Sequence, residues 1–116
     1  MGLMSFFKQF TSSAAKTKQI TAQQLAEELK GSTKDKYFID VRSKQEFGGS
    51  HIRNFVNIPL DSLQGRLDKL PKDKEIVVIC LSGGRSSAAC RVLQKAGFEQ
   101  VTNVQGGMMA WDRVRK

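Results

Sequence analysis

Several things are scarce in this chain of 116 residues, and each scarcity removes a class of protein. Two cysteines, Cys80 and Cys90, and one histidine, His51, supply too few ligands for a structural zinc site. No metal and no cofactor is expected. So few cysteines without a secretory signal point to a reducing compartment, taken as the cytoplasm. No apolar run approaches the ~20 residues that span a bilayer. Zinc-finger spacing, an RNA-binding aromatic motif and a basic helix are all missing. The excess of 19 basic over 11 acidic residues, a formal charge of +8, therefore reads as a solvated basic surface. Such a surface steers small anions and does not imply a nucleic-acid site. There are no internal repeats, and the length suits one domain with a real core.

What is present is concentrated in Glu75-Ile76-Val77-Val78-Ile79-Cys80-Leu81-Ser82-Gly83-Gly84-Arg85-Ser86. An apolar, β-branched run stops at a cysteine, and a short loop with two glycines leads into a helix-like segment. A cysteine placed there faces backbone N–H groups at a helix N-terminus, which favour thiolate over thiol. Gly83 and Gly84 can take the positive-φ conformations that let successive N–H groups converge on one point. Arg85 adds a fixed positive charge suited to an oxyanion. A lone strand-end cysteine would be read as a buried core residue. The Gly-Gly-Arg-Ser continuation argues for an activated thiolate with an anion site beside it. Cys90 shares helical spacing with Ala89, Leu93 and Ala96 and reads as a small core residue.

Residues 1–19 contain no acid and combine Leu3, Met4, Phe6, Phe7 and Phe10 with three lysines. They read as an extension ahead of a single domain over residues 20–116. A short helix that packs on that domain or is partly disordered is preferred over an interfacial membrane anchor or an organelle-targeting segment. Thr21 and Gln24 form a capping-box pattern, with Ile20 and Leu25 placed to staple, so a helix is predicted to Lys30 with Gly31 ending it. Strands are predicted over 36–41, 56–58, 75–79 and 100–104. Residues 46–52 read as a loop or short helix. Leu60, Leu63, Leu67 and Leu70 predict one helix stopped by Pro71. Helices are predicted over 86–96, with Gly97 just past its end, and from Gly106-Gly107 through Trp111. Alternating strands and helices give an α/β fold, a mostly parallel sheet with helices on both faces. Ligands of such sheets sit beyond the carboxyl ends of the strands, which puts Asp40, Val41 and Arg42 on the same edge as the cysteine loop.

Ile39-Asp40-Val41-Arg42, Glu46-Phe47, His51-Ile52, Asn57-Ile58-Pro59, the Cys80–Ser86 segment, Ala96-Gly97-Phe98, Gly106-Gly107 and Trp111, in that order, resemble a single-domain rhodanese over residues 20–113. The resemblance implies a rhodanese-like fold and a sulfurtransferase. Its thiolate takes a sulfane sulfur from a donor, becomes a persulfide and passes the sulfur to a nucleophile. By this match Cys80 is the carrier, and the backbone from Leu81 through Ser82, Gly83 and Gly84 to Arg85 cradles the persulfide. Arg85 binds the anionic donor or braces the loop. Asp40, Arg42 and Ser86 support the site, and His51 is structural. The expected partners are a small anionic sulfur donor and a protein sulfur donor or acceptor. Three departures from the family pattern stand out: Leu81 in the loop, Ser50 before His51, and Asn54-Phe55 where Gly-Ala is common. Leu81 bears on function, because an apolar loop residue weakens anion binding and leaves thiosulfate open as the donor.

Two other readings remain. A cysteine phosphatase or arsenate reductase of related fold also joins a thiolate, a backbone cradle and an arginine, but with five residues between cysteine and arginine. Here only Leu81, Ser82, Gly83 and Gly84 intervene, a ring better sized for one sulfur than for a tetrahedral phosphate. The other is a non-catalytic persulfide carrier or protein-interaction module.

Overall fold

The computed structural model describes residues 17–115. The expectations for residues 1–16, membrane contact among them, lie outside the described residues. In chain order come β1 (Thr17–Ile20), α1 (Ala22–Lys30), β2 (Lys36–Asp40), α2 (Lys44–Gly49), β3 (Phe55–Asn57), α3 (Leu60–Leu63), a 3-10 segment (Gln64–Lys69), β4 (Glu75–Ile79), α4 (Gly84–Lys95), β5 (Val101–Val104) and α5 (Gly107–Val114). The five strands form one sheet in the order β1-β5-β4-β2-β3, and every neighbouring pair is parallel.

The central strand explains the layering. Ile76, Val77, Val78 and Ile79 are all fully buried, so β4 is covered on both faces, as a continuous β-branched run requires. Ile76 and Val78 point with Ile39 and Val101 into one apolar cluster, closed by Leu63 and by Ala89, Cys90 and Leu93 of α4. Val77 and Ile79 point with Phe38, Phe55 and Val104 into the other, closed by Leu25 of α1 and Met108 of α5, with Phe47 and Trp111 packed against it. Burying each such side chain stabilises the fold by roughly 1.5–3 kcal/mol.

The chain leaves β2 toward β3 on one side and leaves β4 toward β5 on the other. Successive connections therefore diverge between β2 and β4, which opens a crevice at their carboxyl ends. Asp40 pairs with Ile79 across that boundary, and the Val41 N–H donates to the Ile79 carbonyl at 3.0 Å. Cys80 is the next residue.

Local chemistry accounts for most boundaries. Thr21 Oγ1 accepts from the Gln24 N–H at 3.0 Å and Gln24 Oε1 accepts from the Thr21 N–H at 2.8 Å, the capping box expected for α1. Ser43 and Glu46 form a second box at the start of α2, which resolves residues 46–52 into a short helix and a turn. Asn54 adopts φ +79, the left-handed conformation that glycine usually supplies and asparagine tolerates. Phe55 beside it is buried and stacks on Phe38 with ring centroids 5.1 Å apart. The Asn-Phe departure is thus a packing solution on the β3 side of the sheet.

Two expectations are corrected. The Leu60–Leu70 pattern is not one helix: α3 makes a single turn and the chain tightens into the 3-10 segment. Gly65 lies at that junction and weakens an α-helix by about 1 kcal/mol relative to alanine, whereas a spacing of three brings Leu67 and Leu70 onto one side of a 3-10 turn. Residues 17–19 also belong to the sheet, as the edge strand β1. Thr17, Lys18 and Gln19 alternate no apolar residue, so the strand carried no periodic signal; a lysine there suits an exposed edge.

Candidate active site at the Cys80 loop

Cys80 follows β4 directly and is buried. The loop turns at Gly83, whose φ of +118 and ψ of −17 reverse the chain, and α4 begins at Gly84. The turn aims the Gly83 N–H at Cys80 Sγ, 3.0 Å away. From the first turn of α4, Ser86 brings its hydroxyl to 3.3 Å from the same sulfur, accepting from the thiol. Ser86 Oγ in turn donates to the Gly83 carbonyl at 3.1 Å, and Ser87 Oγ donates to that carbonyl at 2.8 Å. The two hydroxyls lock the glycine whose amide faces the sulfur.

A second helix fixes the loop from behind. The N–H of Met108, in the first turn of α5, donates to the Cys80 carbonyl at 2.8 Å, and that of Met109 donates to the Leu81 carbonyl at 3.1 Å. With both carbonyls drawn toward α5, the loop's N–H side is left to the sulfur. The approach is close enough to demand glycine: a Cβ on Gly107 would lie 2.3 Å from the Cys80 oxygen and 2.6 Å from the Leu81 carbonyl, and its φ is +55.

These contacts set the thiol's acidity. Burial pushes the Cys80 pKa up, but the Ser86 hydroxyl, once its hydrogen turns from the Gly83 carbonyl to the sulfur, and the N–H groups of Ser86, Gly83 and Ser82 stabilise the thiolate, and the net shift is downward. Cys90 behaves oppositely: burial pushes its thiol up to about 12. The two cysteines, both free, thus differ in acidity, the Cys80 thiol lowered and the Cys90 thiol raised.

The other predicted residues fall into two groups. Asp40 and Arg42 form a buried pair, Nη2 to Oδ2 at 2.9 Å, with Nε 3.0 Å from Oδ1 and the Arg42 N–H also donating to Oδ1 at 3.0 Å. Arg42 Nη2 donates to the Ser50 carbonyl at 2.8 Å, and Asn57 Nδ2 reaches the carbonyls of Asp40 and Arg42 at 3.0 and 2.9 Å. This network ties the ends of β2 and β3 and the turn after α2 into the floor beside the loop. His51 is exposed, stacked on Phe47 at 3.8 Å, with Nδ1 2.8 Å from the Phe47 carbonyl oxygen.

Arg85 points away from the anion role expected of a free guanidinium. Its Nη1 and Nη2 donate to Glu46 Oε1 and Oε2 at 2.7 and 3.0 Å. The pairing, together with the Cys80 and Asp40 charges farther off, outweighs burial and holds Arg85 still more firmly protonated. Glu46 thus joins the site through Arg85, a part that the sequence pattern does not assign to it. The readable signal was Ser43-Lys44-Gln45-Glu46, a capping box that fixes the Glu46 side chain at a helix start.

A groove of about 820 Å³ opens beside Arg85 at the carboxyl edge of the sheet, lined among others by Val41, Lys44, Pro59, Leu60 and Asp61. On the loop itself Leu81 is 40% exposed, and neighbouring Met109 is 50% exposed. A buried sulfur with a lowered pKa therefore faces loop N–H donors, an open groove lies beside Arg85 at the end of the same loop, and two exposed apolar side chains flank the loop.

Known proteins resemble this chain in sequence and fold. The family model described as a rhodanese-like domain matches residues 21–113. A protein of Allochromatium vinosum named sulfurtransferase is 33% identical over 95 residues, spanning 82% of this chain and 88% of its own length. An Ogataea parapolymorpha protein named adenylyltransferase and sulfurtransferase is 39% identical over 79 residues, 66% of this chain and 20% of that protein. The crystal structure of a rhodanese-like domain protein from Staphylococcus aureus superposes with a TM-score of 0.76 at 33% identity, covering 82% of this chain and 91% of that one. Among the described residues no helix is long and apolar enough to cross a membrane.

Proposed function

The chain belongs to the rhodanese-like family, and from that premise we propose that it is a sulfurtransferase carrying a sulfane sulfur as a persulfide on Cys80. The observation that carries this reading is the set of contacts at one sulfur: the Gly83 N–H at 3.0 Å, Ser86 Oγ at 3.3 Å, and a net downward pKa shift that Cys90 does not share.

In the first step the Cys80 thiolate attacks the outer sulfur of the donor. With thiosulfate, a new S–S bond forms at Cys80, the donor's S–S bond breaks, and sulfite leaves with the bonding pair. With a persulfide donor the leaving group is a thiolate. The terminal sulfur of the new persulfide carries negative charge, which the N–H groups of the loop stabilise without rearranging. In the second step an acceptor nucleophile attacks that terminal sulfur and Cys80 departs as thiolate; with cyanide the product is thiocyanate. A preformed thiolate needs no general base, which fits His51 being engaged with Phe47.

The loop residues Leu81, Ser82, Gly83, Gly84 and Arg85 form the binding ring, and Asp40, Arg42 and Ser86 hold it in place. Exposed Leu81 and Met109 suit a protein surface better than a small ion, and relatives that join a sulfurtransferase to an adenylyltransferase in one chain favour a protein partner. Transfer through a free thiolate fits the cytoplasm. The test is mass spectrometry after incubation with a sulfane-sulfur donor. One added sulfur should appear on Cys80, be lost in Cys80→Ser and persist in Cys90→Ser. Sulfur on Cys90 in the unmodified protein, or Cys80-dependent hydrolysis of an aryl phosphate with no sulfur transfer, would overturn the reading.

A further inference from the structure

Arg85 is the one cation positioned at the mouth of the loop by α4, and both of its terminal nitrogens are spent on Glu46. Glu46 does not arrive there by chance of rotamer. Its Oε1 accepts from the Ser43 N–H at 2.9 Å, and its own N–H donates to Ser43 Oγ at 3.2 Å, so the carboxylate is held by the start of α2. Ordering it costs little further entropy, and a bidentate carboxylate fills the guanidinium edge that would otherwise clasp an oxyanion. The pair is not sealed in the core: the two side chains are 38% and 31% exposed, so an incoming donor meets them.

The charged side chains that line the groove offset one another in number once Glu46 is paired with Arg85. The groove lining carries one further cation, Lys44, and one carboxylate, Asp61, beside the Arg85–Glu46 pair, while Leu81 brings no charge. What remains is the thiolate itself. A dianion such as thiosulfate meets the Cys80 thiolate with its natural anchor, Arg85, already occupied.

Resting on the sulfurtransferase reading above, we propose that Glu46 is a specificity-determining residue. By occupying Arg85 it turns the site away from small dianionic donors and toward a persulfide presented on a protein thiol. The favoured transfer is R–S–S⁻ plus the Cys80 thiolate giving R–S⁻ plus the Cys80 persulfide. One S–S bond breaks, one forms, and no outside oxidant or reductant enters. The apolar side chains flanking the loop, Leu81 and Met109, give the surface around such a donor something to cover.

Glu46→Gln tests this, because glutamine keeps an acceptor for the Ser43 N–H while removing the charge. Steady-state constants are measured for thiosulfate with cyanide, and for a neutral synthetic peptide bearing one cysteine persulfide. The thiosulfate KM should fall roughly three- to tenfold, with kcat within about twofold, since one negative charge near a dianion is removed at partly screened range. The peptide KM should move less than about twofold on the same grounds. Adding Arg85→Gln to Glu46→Gln should abolish the thiosulfate gain. A folded Glu46→Gln protein whose thiosulfate KM is unchanged or raised, or whose two donors shift alike, overturns the proposal. The unmodified protein supplies an arm that needs no variant: at matched ionic strength, inorganic sulfate should not compete with the peptide persulfide, and competitive inhibition at micromolar sulfate would overturn it. Failure of both donors to load Cys80 would instead remove the sulfurtransferase reading itself.

Discussion

The backbone amide of Met108 donates to the carbonyl of Cys80 at 2.8 Å, so the first turn of α5 holds the residue proposed to carry the sulfur. That contact exists because Gly107 has no side chain. Gly107→Ala forces a Cβ to within 2.3 Å of the Cys80 oxygen at a φ of +55. The backbone has to move, and the expected cost is roughly 2–4 kcal/mol for combined overlap and left-handed strain. Thermal unfolding reads the loss. A variant that still folds should alkylate Cys80 more slowly at neutral pH. A melting temperature equal to the parent's would show that α5 does not brace the loop.

Ser86 should control the acidity of Cys80 and leave Cys90 alone. In Ser86→Ala the sulfur loses the hydroxyl at 3.3 Å, and the Gly83 carbonyl loses one of its two serine donors. The pH midpoint of Cys80 alkylation should rise toward that of an ordinary thiol, because the hydroxyl lowers the pKa against burial. Cys90→Ser should not move the midpoint. An alkylation profile identical in Ser86→Ala and the parent would refute the role given to this hydroxyl.

Acid should expose the Glu46–Arg85 pair. Hydrogen bonds from Arg85, joined by the Ser43 amide, hold the Glu46 pKa at about 2 against an ordinary 4.5. The folded carboxylate is the favoured form, so between those values the unfolded chain binds the extra proton and stability falls as pH falls. The contribution is complete above pH 4.5 and is lost progressively toward pH 2. It is modest, since the pair is partly exposed. Plots of melting temperature against pH should show a shallower acid limb in Glu46→Gln than in the parent; parallel limbs would count against the pair.

Asp40 and Arg42 should behave as a unit. Asp40→Ala leaves the Arg42 guanidinium buried with only the Ser50 carbonyl to meet it, at an expected cost of about 3–5 kcal/mol. Replacing both, Asp40→Ala with Arg42→Met, should recover much of that loss because no uncompensated charge remains. Chemical denaturation of the two variants separates the cases. A double variant less stable than Asp40→Ala would mean that the pair contributes more than mutual neutralisation.

Much of this architecture is visible along the chain because local and global signals agree. Ile76–Ile79 is apolar at every position, so it reads as a central strand, and it is one. Gly83-Gly84 after Cys80 reads as a turn that aims amides inward, and Gly83 takes the left-handed conformation. The features that escaped are long-range or weakly patterned. β1 opens on three polar residues, Thr17, Lys18 and Gln19, before buried Ile20, and its pairing with β5 is decided by the partner strand. The leucine run after Pro59 has the spacing of a helix, but Gly65 and the need to reach β4 tighten it. Glu46 and Arg85 lie 39 positions apart, and no spacing rule joins them. Only the fold, which brings the start of α2 beside the start of α4, makes them neighbours.

Cys90 lies four residues along α4 from Ser86, in the same apolar cluster as Ala89 and Leu93, and its thiol stays protonated far above neutral pH. A protonated thiol is a poor nucleophile toward sulfur. A persulfide formed on Cys80 therefore has no internal thiolate to discharge it. The loaded state should persist until a second molecule arrives, with one sulfur held per chain and one released per encounter. In kinetic terms the protein keeps a memory of its last donor, and the lifetime of that memory is set by how often an acceptor finds the loop.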